Sequence, residues 1–366
     1  MTQTVCLCMI VKDEERVLAR CLASVRPFIR HWVLVDTGST DATMRVAREA
    51  LSGVPGELHE RPWRNFGANR TEAIELARGK ADYALLIDAD EELVAPTGFQ
   101  LPALTHDQCL VRCRIGESDT TWYRPTLARA SLPWRYEGVL HEYLTADVPH
   151  TTGRVEALLV RSHSDGARNV DPTEKYRRDA RTLKEALRED PGNVRYAYYL
   201  AQSYRDAGDR ERAHDAFAKR ATMGGWAEEA WYALYQVAVM KEALKRPWSE
   251  TLAAYLTAYQ RRPSRAEPLH DLARYCNWRD ERALAALFAR GAVAVPTPTS
   301  DILFVEASVY AWRAADELAI ATYWLGEYAE SAAVSAGLLK SGHLPPQHVE
   351  RVRSNLAFAR EKLRNP

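Results

Sequence analysis

Across residues 5–92, short unbroken apolar runs alternate with amphipathic segments, and two of those runs end in a carboxylate. No other feature constrains the fold as strongly. Val5–Val11 reads as a buried strand. The segment opening at Asp13-Glu14-Glu15 reads as a helix to about Val25. Val17, Leu18, Cys21, Leu22 and Val25 share its apolar face, and its acidic first turn suits the helix dipole. His31–Asp36 is a second strand. In the turn Thr37–Asp41, Ser39 or Asp41 stands where it can cap a helix running to about Leu51. A third, shorter strand precedes Arg61. Asn69–Arg78 reads as helix, and Asp82–Ile87 as a fourth strand that ends in Asp88-Ala89-Asp90-Glu91-Glu92. Strands apolar on both faces and alternating with helices imply an α/β domain with a mainly parallel sheet covered on both sides. Such sheets bind ligands at the carboxyl ends of their strands, where Asp36 and Asp88 fall.

From Leu110 to about His163 short strands and turns take over, among them the Trp-rich segment Trp134–Tyr143. This reads as an irregular β region that completes the sheet and walls one side of a site. After Asp171-Pro172 the chain is nearly all helix. Leu200, Ala201, Tyr204, Gly208, Ala213 and Phe217 resemble the tetratricopeptide pattern. Looser copies follow at Trp231, Leu234, Ala238, Tyr255, Ala258 and Pro263, then at Leu272, Ala273, Ala283 and Leu287, then at Leu318, Ala319 and Gly326. Gln347–Leu363 reads as a closing helix. Helix pairs of this kind bury their apolar faces only by stacking on neighbours. Most of the aromatic side chains are then expected to be intercalated core.

The composition agrees with a break between these halves. Of 6 cysteines, five precede residue 170, whereas most of the 17 tyrosines follow it. Two domains are expected, residues 1–170 and 171–366. The formal net charge of +0 gives no field that would gather nucleic acid or an anionic membrane. No apolar run reaches the roughly 18–20 residues of a membrane span, and no basic segment precedes the first apolar run. The cysteines lack any CxxC spacing, so they read as buried thiols of a reducing compartment, the cytoplasm.

Asp88-Ala89-Asp90 concentrates the chemistry. At a strand end the backbone turns, so one carboxylate can meet a ribose or sugar hydroxyl while the other ligates a hard divalent cation. Taken alone, Asp-x-Asp is common. Its context is not. Lys12-Asp13-Glu14-Glu15 follows the first strand, Asp36-Thr37-Gly38-Ser39-Thr40-Asp41 the second, and Arg70 lies in the helix opened by Asn65, before the Asp-x-Asp. In order and spacing these resemble the nucleotide-sugar-dependent glycosyltransferases of family 2, which have the GT-A fold.

The resemblance implies roles. Asp36 would bind the nucleotide base, with Glu14 nearby in the donor site. Arg70 would contact the nucleotide or its diphosphate. Asp88 would bind ribose or donor sugar, and Asp90 a Mn²⁺ or Mg²⁺ ion. A late histidine is implied on the metal, with His163 the best placed and His141 the competitor. The implied reaction is an inverting transfer from a nucleotide sugar, UDP-linked in the first instance. It needs one base, for which Glu137, His141 and Glu142 are candidates, Glu142 foremost. Similar two-part enzymes use their repeats to hold a peptide or protein acceptor or to dimerise. A saccharide acceptor is equally compatible. Two rival readings exist. In one, the repeats form a binding scaffold attached to a degenerate transferase domain. In the other, the first domain is a nucleotidyltransferase, but the Gly-rich basic loop of that class is missing after the first strand.

Overall fold

The computed structural model describes residues 3–167 and 171–364. The chain divides into two compact units, Met1–Gly208 and Asp209–Pro366.

The first unit opens with β1 (Val5–Val11), α1 (Leu18–Val25), β2 (His31–Asp36), α2 (Thr43–Ala50), β3 (Gly56–Glu60), α3 (Phe66–Ala77) and β4 (Tyr83–Leu86). It continues with β5 (Glu91–Val94), β6 (Gln108–Ile115), β7 (Thr120–Arg129), β8 (Arg135–Glu137), β9 (Tyr143–Thr145) and β10 (Thr152–Ser162). Eight of these strands line up in the order β3-β2-β1-β4-β7-β6-β10-β5, while β8 and β9 form a separate hairpin. Strands β3, β2, β1 and β4 are parallel neighbours; β7 joins β4 antiparallel.

The alternation within β1 explains why helices cover both faces. Val5, Leu7, Met9 and Val11 pack with Leu18, Cys21, Leu22 and Val25 of α1. Cys6 and Cys8 face the other way, against Ala73, Ile74 and Ala77 of α3. Each fully buried Leu or Val contributes roughly 1.5–3 kcal/mol, so the paired faces fix the register of this central strand. The register brings Val11 opposite Asp36, placing both strand ends at one edge of the sheet.

Three local expectations change. Helix α1 begins at Leu18, and Asp13-Glu14-Glu15 precede it rather than forming its first turn. Asp13 takes a left-handed backbone (φ 54°), and its carboxylate accepts the Thr40 N–H at 2.7 Å. Glu15 likewise accepts the Ala42 N–H at 2.9 Å. Bonding to the 39–43 turn thus outcompetes a helical start here. Neither Ser39 nor Asp41 is the cap of α2: Ala42 holds that position without a side-chain cap bond, Asp41 accepts the Thr43 N–H at 2.9 Å, and the Ser39 hydroxyl goes to Asp36. Finally, Glu91 and Glu92 open strand β5 instead of prolonging an acidic turn.

Helices α4 (Pro172–Glu189) and α5 (Val194–Asp206) follow. Secondary structure therefore turns helical at Pro172, while the compact unit runs on to Gly208. The reason is α5, whose Arg195 and Tyr199 contact His141.

The second unit comprises α6 (Arg210–Ala221), α7 (Ala227–Ala243), α8 (Trp248–Arg261), α9 (Glu267–Trp278), α10 (Arg282–Ala294), α11 (Ala314–Trp324), α12 (Tyr328–Lys340) and α13 (Pro346–Arg364). Trp231, Tyr235, Ala238, Tyr255, Ala258 and Leu272 interlock between its helices. Arg265, buried under the Trp231 ring, is satisfied by Glu267, Asp301 and the Leu303 carbonyl. In α10 the expected inner positions are wrong. Ala285, Ala286 and Ala289 are buried, while Ala283 is exposed and Leu287 is 61% exposed. The helix turns inward the small-residue face of Ala285, Ala286 and Ala289, which packs against Ala273, Cys276, Leu318 and Ala321, and Ala283 and Leu287 lie on another face. Trp278 and Trp324, at 77% and 64% exposure, are exceptions to the aromatic core. Among the described residues no helix is long and apolar enough to cross a membrane, and all 6 cysteines are free and buried.

Candidate functional site

Strands β1, β2 and β4 end side by side, and the loops after them carry the candidate residues. Asp36 closes β2 and is buried. Its Oδ2 accepts the backbone N–H groups of Gly38 (3.1 Å) and Ser39 (3.0 Å), and its Oδ1 the Ser39 hydroxyl. Gly38 has φ 103°, a backbone that suits glycine and lets the turn fold back on the carboxylate. Asp36, Ser39, Met44, Glu60, Arg61 and Pro62 line a cavity of about 310 Å³.

The second group is centred on Arg70. Asn65 caps α3 by accepting the Ala68 N–H at 2.8 Å, which sets Arg70 on the second turn. From there Arg70 Nη2 reaches Asp88 Oδ1 at 2.6 Å, and its Nε reaches Glu142 Oε1 at 2.6 Å. The Tyr136 ring lies 5.7 Å from the guanidinium carbon. The close approach depends on Gly67, where an added Cβ would stand 3.2 Å from the Tyr136 carbonyl and 3.3 Å from that of Gly138. Burial works against the charge on Asp88, yet the Arg70 and Arg124 guanidinia hold its carboxyl below the usual range.

Glu91 and Arg124 were not anticipated. Glu91 is buried, accepts the Asp88 N–H at 2.9 Å and pairs with Arg124. Burial pushes its carboxyl up despite that partner. The run Asp88–Glu92 did contain Glu91, but a partner on β7 cannot be read from local pattern. Arg20 and Asp165 were also missed. They form a two-bond pair at 2.8 and 2.7 Å, and Arg20 Nη2 also reaches the Asp90 carbonyl at 3.4 Å.

The third group is acidic. Glu14 Oε2 accepts the Ala167 N–H at 3.2 Å. A Cβ added to Gly166 would lie 3.1 Å from Glu14 Oε2 and 3.2 Å from Asp90 Cβ, so both carboxylates crowd one glycine. Burial, followed by the charges of Asp90, Asp88 and Asp41, pushes the Glu14 carboxyl up to about 7. Burial and Asp88 raise Asp90 as well. Carboxylates whose charge is opposed by their neighbours form a donor set suited to a hard divalent cation completed by phosphate oxygens. Among the described residues no three His, Cys, Asp or Glu side chains converge as a full metal cage. His163 turns its Nε2 to Glu92 at 3.2 Å, and only its backbone N–H reaches Asp90, at the carbonyl, 3.0 Å away.

The three base candidates separate. Glu137 accepts from the Tyr143 hydroxyl at 2.7 Å and from Arg135 Nε at 2.8 Å, and these bonds hold its carboxyl below the usual range. His141 is exposed, takes φ 50° and stacks on Tyr199 with ring centres 4.0 Å apart. Glu142 alone meets Arg70; its side chain is only 9% exposed.

Comparisons with known proteins bear on this geometry. Residues 6–140 match the family model described as Glycosyl transferase family 2. A TPR repeat-containing protein of Synechococcus elongatus is 43% identical over 97 residues, which are 26% of this chain and 23% of that protein. The match thus spans about a quarter of the curated relative. Among solved structures, residues 1–349 of S. aureus TarS, crystallised with UDP-GlcNAc, align with 67% of this chain and 93% of that one at 12% identity (TM-score 0.35). MamA from Desulfovibrio magneticus aligns with 50% of this chain and 96% of that one at 15% identity (TM-score 0.34).

Proposed function

We propose that this chain, whose residues 6–140 form a glycosyl transferase family 2 domain, moves a sugar from a UDP-linked donor to an acceptor with inversion at the anomeric carbon. The observation that carries this reading is Arg70, held at 2.6 Å from both Asp88 and Glu142 beside the acidic pair Glu14 and Asp90. A guanidinium, a sugar-binding carboxylate, a cation-binding pair and a half-dry base are the parts such a transfer needs.

Asp36 has lone pairs left to accept a base N–H from a nucleotide seated in the cavity at Arg61 and Pro62. Arg70 hydrogen-bonds the diphosphate, and Asp88 a ribose or sugar hydroxyl. Glu14 and Asp90 are the residues to hold Mn²⁺ or Mg²⁺, which when bound offsets the charge growing on the leaving diphosphate. His163, turned to Glu92, is left out of that set. Glu142 accepts the proton of the attacking acceptor group. The new bond forms on the face opposite the diphosphate, which departs with the electron pair of the broken sugar–oxygen bond. Only contacts that strengthen as this charge develops raise the rate. The helical repeats are read as the hold for a peptide or protein acceptor, a role supported by the exposure of Trp278 and Trp324. The buried free thiols suit a cytoplasmic protein.

Nucleotide release from UDP-sugars with Mn²⁺ tests the reading. Glu142→Gln is expected to cut kcat at least 100-fold, the usual worth of a general base, with donor KM nearly unchanged. Wild-type turnover retained in Glu142→Gln would remove Glu142 as the base.

A further inference from the structure

Helix α5 lies in the part of the sequence that reads as repeat, yet it belongs to the same compact unit as the sheet. Its Arg195 is bonded where the base candidate is held. Arg195 Nε and Nη2 both donate to the His141 carbonyl, at 3.0 and 2.8 Å. The guanidinium carbon lies 5.1 Å from the Tyr143 ring centre and 4.9 Å from that of Tyr199, and Tyr199 in turn stacks on the His141 ring. One residue therefore grips both neighbours of Glu142 and leaves Glu142 itself to Arg70.

The backbone held in this way does not adopt its shape by default. His141 sits at φ 50°, a region that L side chains rarely adopt. Gly138, three residues earlier, sits at φ 119°, and a Cβ there would come within 3.3 Å of Glu142 Cα. The 138–142 turn is thus folded tightly on itself. A non-glycine residue at positive φ persists when its surroundings over-determine it. The His141 carbonyl accepts two bonds from the Arg195 guanidinium. A bonded carbonyl on a strained residue fixes the direction of the next side chain, and that side chain is Glu142.

We propose that Arg195 is a positioning residue for the transfer: it pins the 138–142 turn at the His141 carbonyl and so aims Glu142. This rests on the reading of Glu142 as base. The first helical hairpin then completes the catalytic unit, and only the later helices are free to serve acceptor recognition.

The test uses the full chain and two readouts. In nucleotide release from UDP-sugars with Mn²⁺, Arg195→Ala is expected to lower kcat at least tenfold with donor KM within about twofold. Arg195→Lys keeps one donor for the carbonyl and is expected to recover most of the loss. Arg195→Ala combined with Glu142→Gln is expected to be no slower than Glu142→Gln alone, because the first acts only through the second. Losses that add in full, or an unchanged kcat in Arg195→Ala, overturn the proposal. Amide exchange across residues 138–144 is the second readout, and it needs no turnover. Faster exchange in Arg195→Ala is expected, and unaltered exchange would overturn the pinning. If the wild-type chain releases no nucleotide from any donor while exchange does speed up in Arg195→Ala, the fault lies with the functional reading and not with the pinned turn.

Discussion

At the scale of single residues, the site is a balance of charges that no one residue could hold. Arg70 faces two carboxylates at 2.6 Å each, and Asp88 is held ionised by Arg70 and Arg124. Among the described residues no cation pairs with Glu14 in this way, and burial and its acidic neighbours push it up to about 7. A bound divalent ion must displace the Glu14 proton, so affinity rises with pH while Glu14 is protonated and levels off above its pKa. Calorimetric titration of Mn²⁺ with UDP present is expected to show about tenfold tighter binding at pH 8 than at pH 6. Glu14→Gln is expected to bind more weakly and with a flatter profile. A flat wild-type profile would take Glu14 out of the cation site. Most of these residues were legible in the sequence. Asp36, Asp88 and Asp90 follow apolar strands directly, and the end of a parallel strand is where ligands meet the backbone. The pairing of Arg70 with Glu142 was not legible, because it joins a helix to a turn through tertiary packing. The same holds for Glu91 with Arg124. The contact of the His163 ring with Glu92 at 3.2 Å was not legible either, since it joins two strands across the sheet.

At the scale of elements, alternation of apolar residues identified β1, β2 and β4, since strands buried on both faces must be apolar throughout. Starts and turns were less legible. The acidic residues before α1 carry a helix-opening signature, but cross-loop hydrogen bonds from Asp13 and Glu15 took precedence. Close packing between neighbouring strands was not legible at all. Trp32 on β2 lies flat over Gly56 on β3, its register partner, and donates from Nε1 to the Val54 carbonyl at 2.9 Å. A Cβ at Gly56 would fall 2.1 Å from the indole Cδ2. Gly56→Ala therefore has to expel a mostly buried ring. The expected cost is about 1–3 kcal/mol, the range for overpacking a tight site. Denaturant melts followed by Trp fluorescence would read it, and an unchanged midpoint would mean that the indole has room to move.

At the scale of the whole molecule, the chain joins two kinds of packing. In the first unit a sheet covered on both faces brings distant strand ends together, and chemistry collects there. In the second, stacked helix pairs bury small residues such as Ala238, Ala258, Ala285 and Ala289 between larger ones. The change from sheet to helix was visible in the sequence as a shift from cysteine to tyrosine. The extent of the first compact unit, to Gly208, was not, because it depends on α5 contacts with His141. The central claim is that the strand-end site takes a UDP-sugar. Calorimetric titration of the full chain with a panel of UDP-sugars, with Mn²⁺ and with a chelator, tests it most directly. The account predicts binding of one donor to a single site, strengthened by Mn²⁺ and lost in Asp88→Asn. A folded wild-type chain that binds no nucleotide sugar under either condition would contradict it.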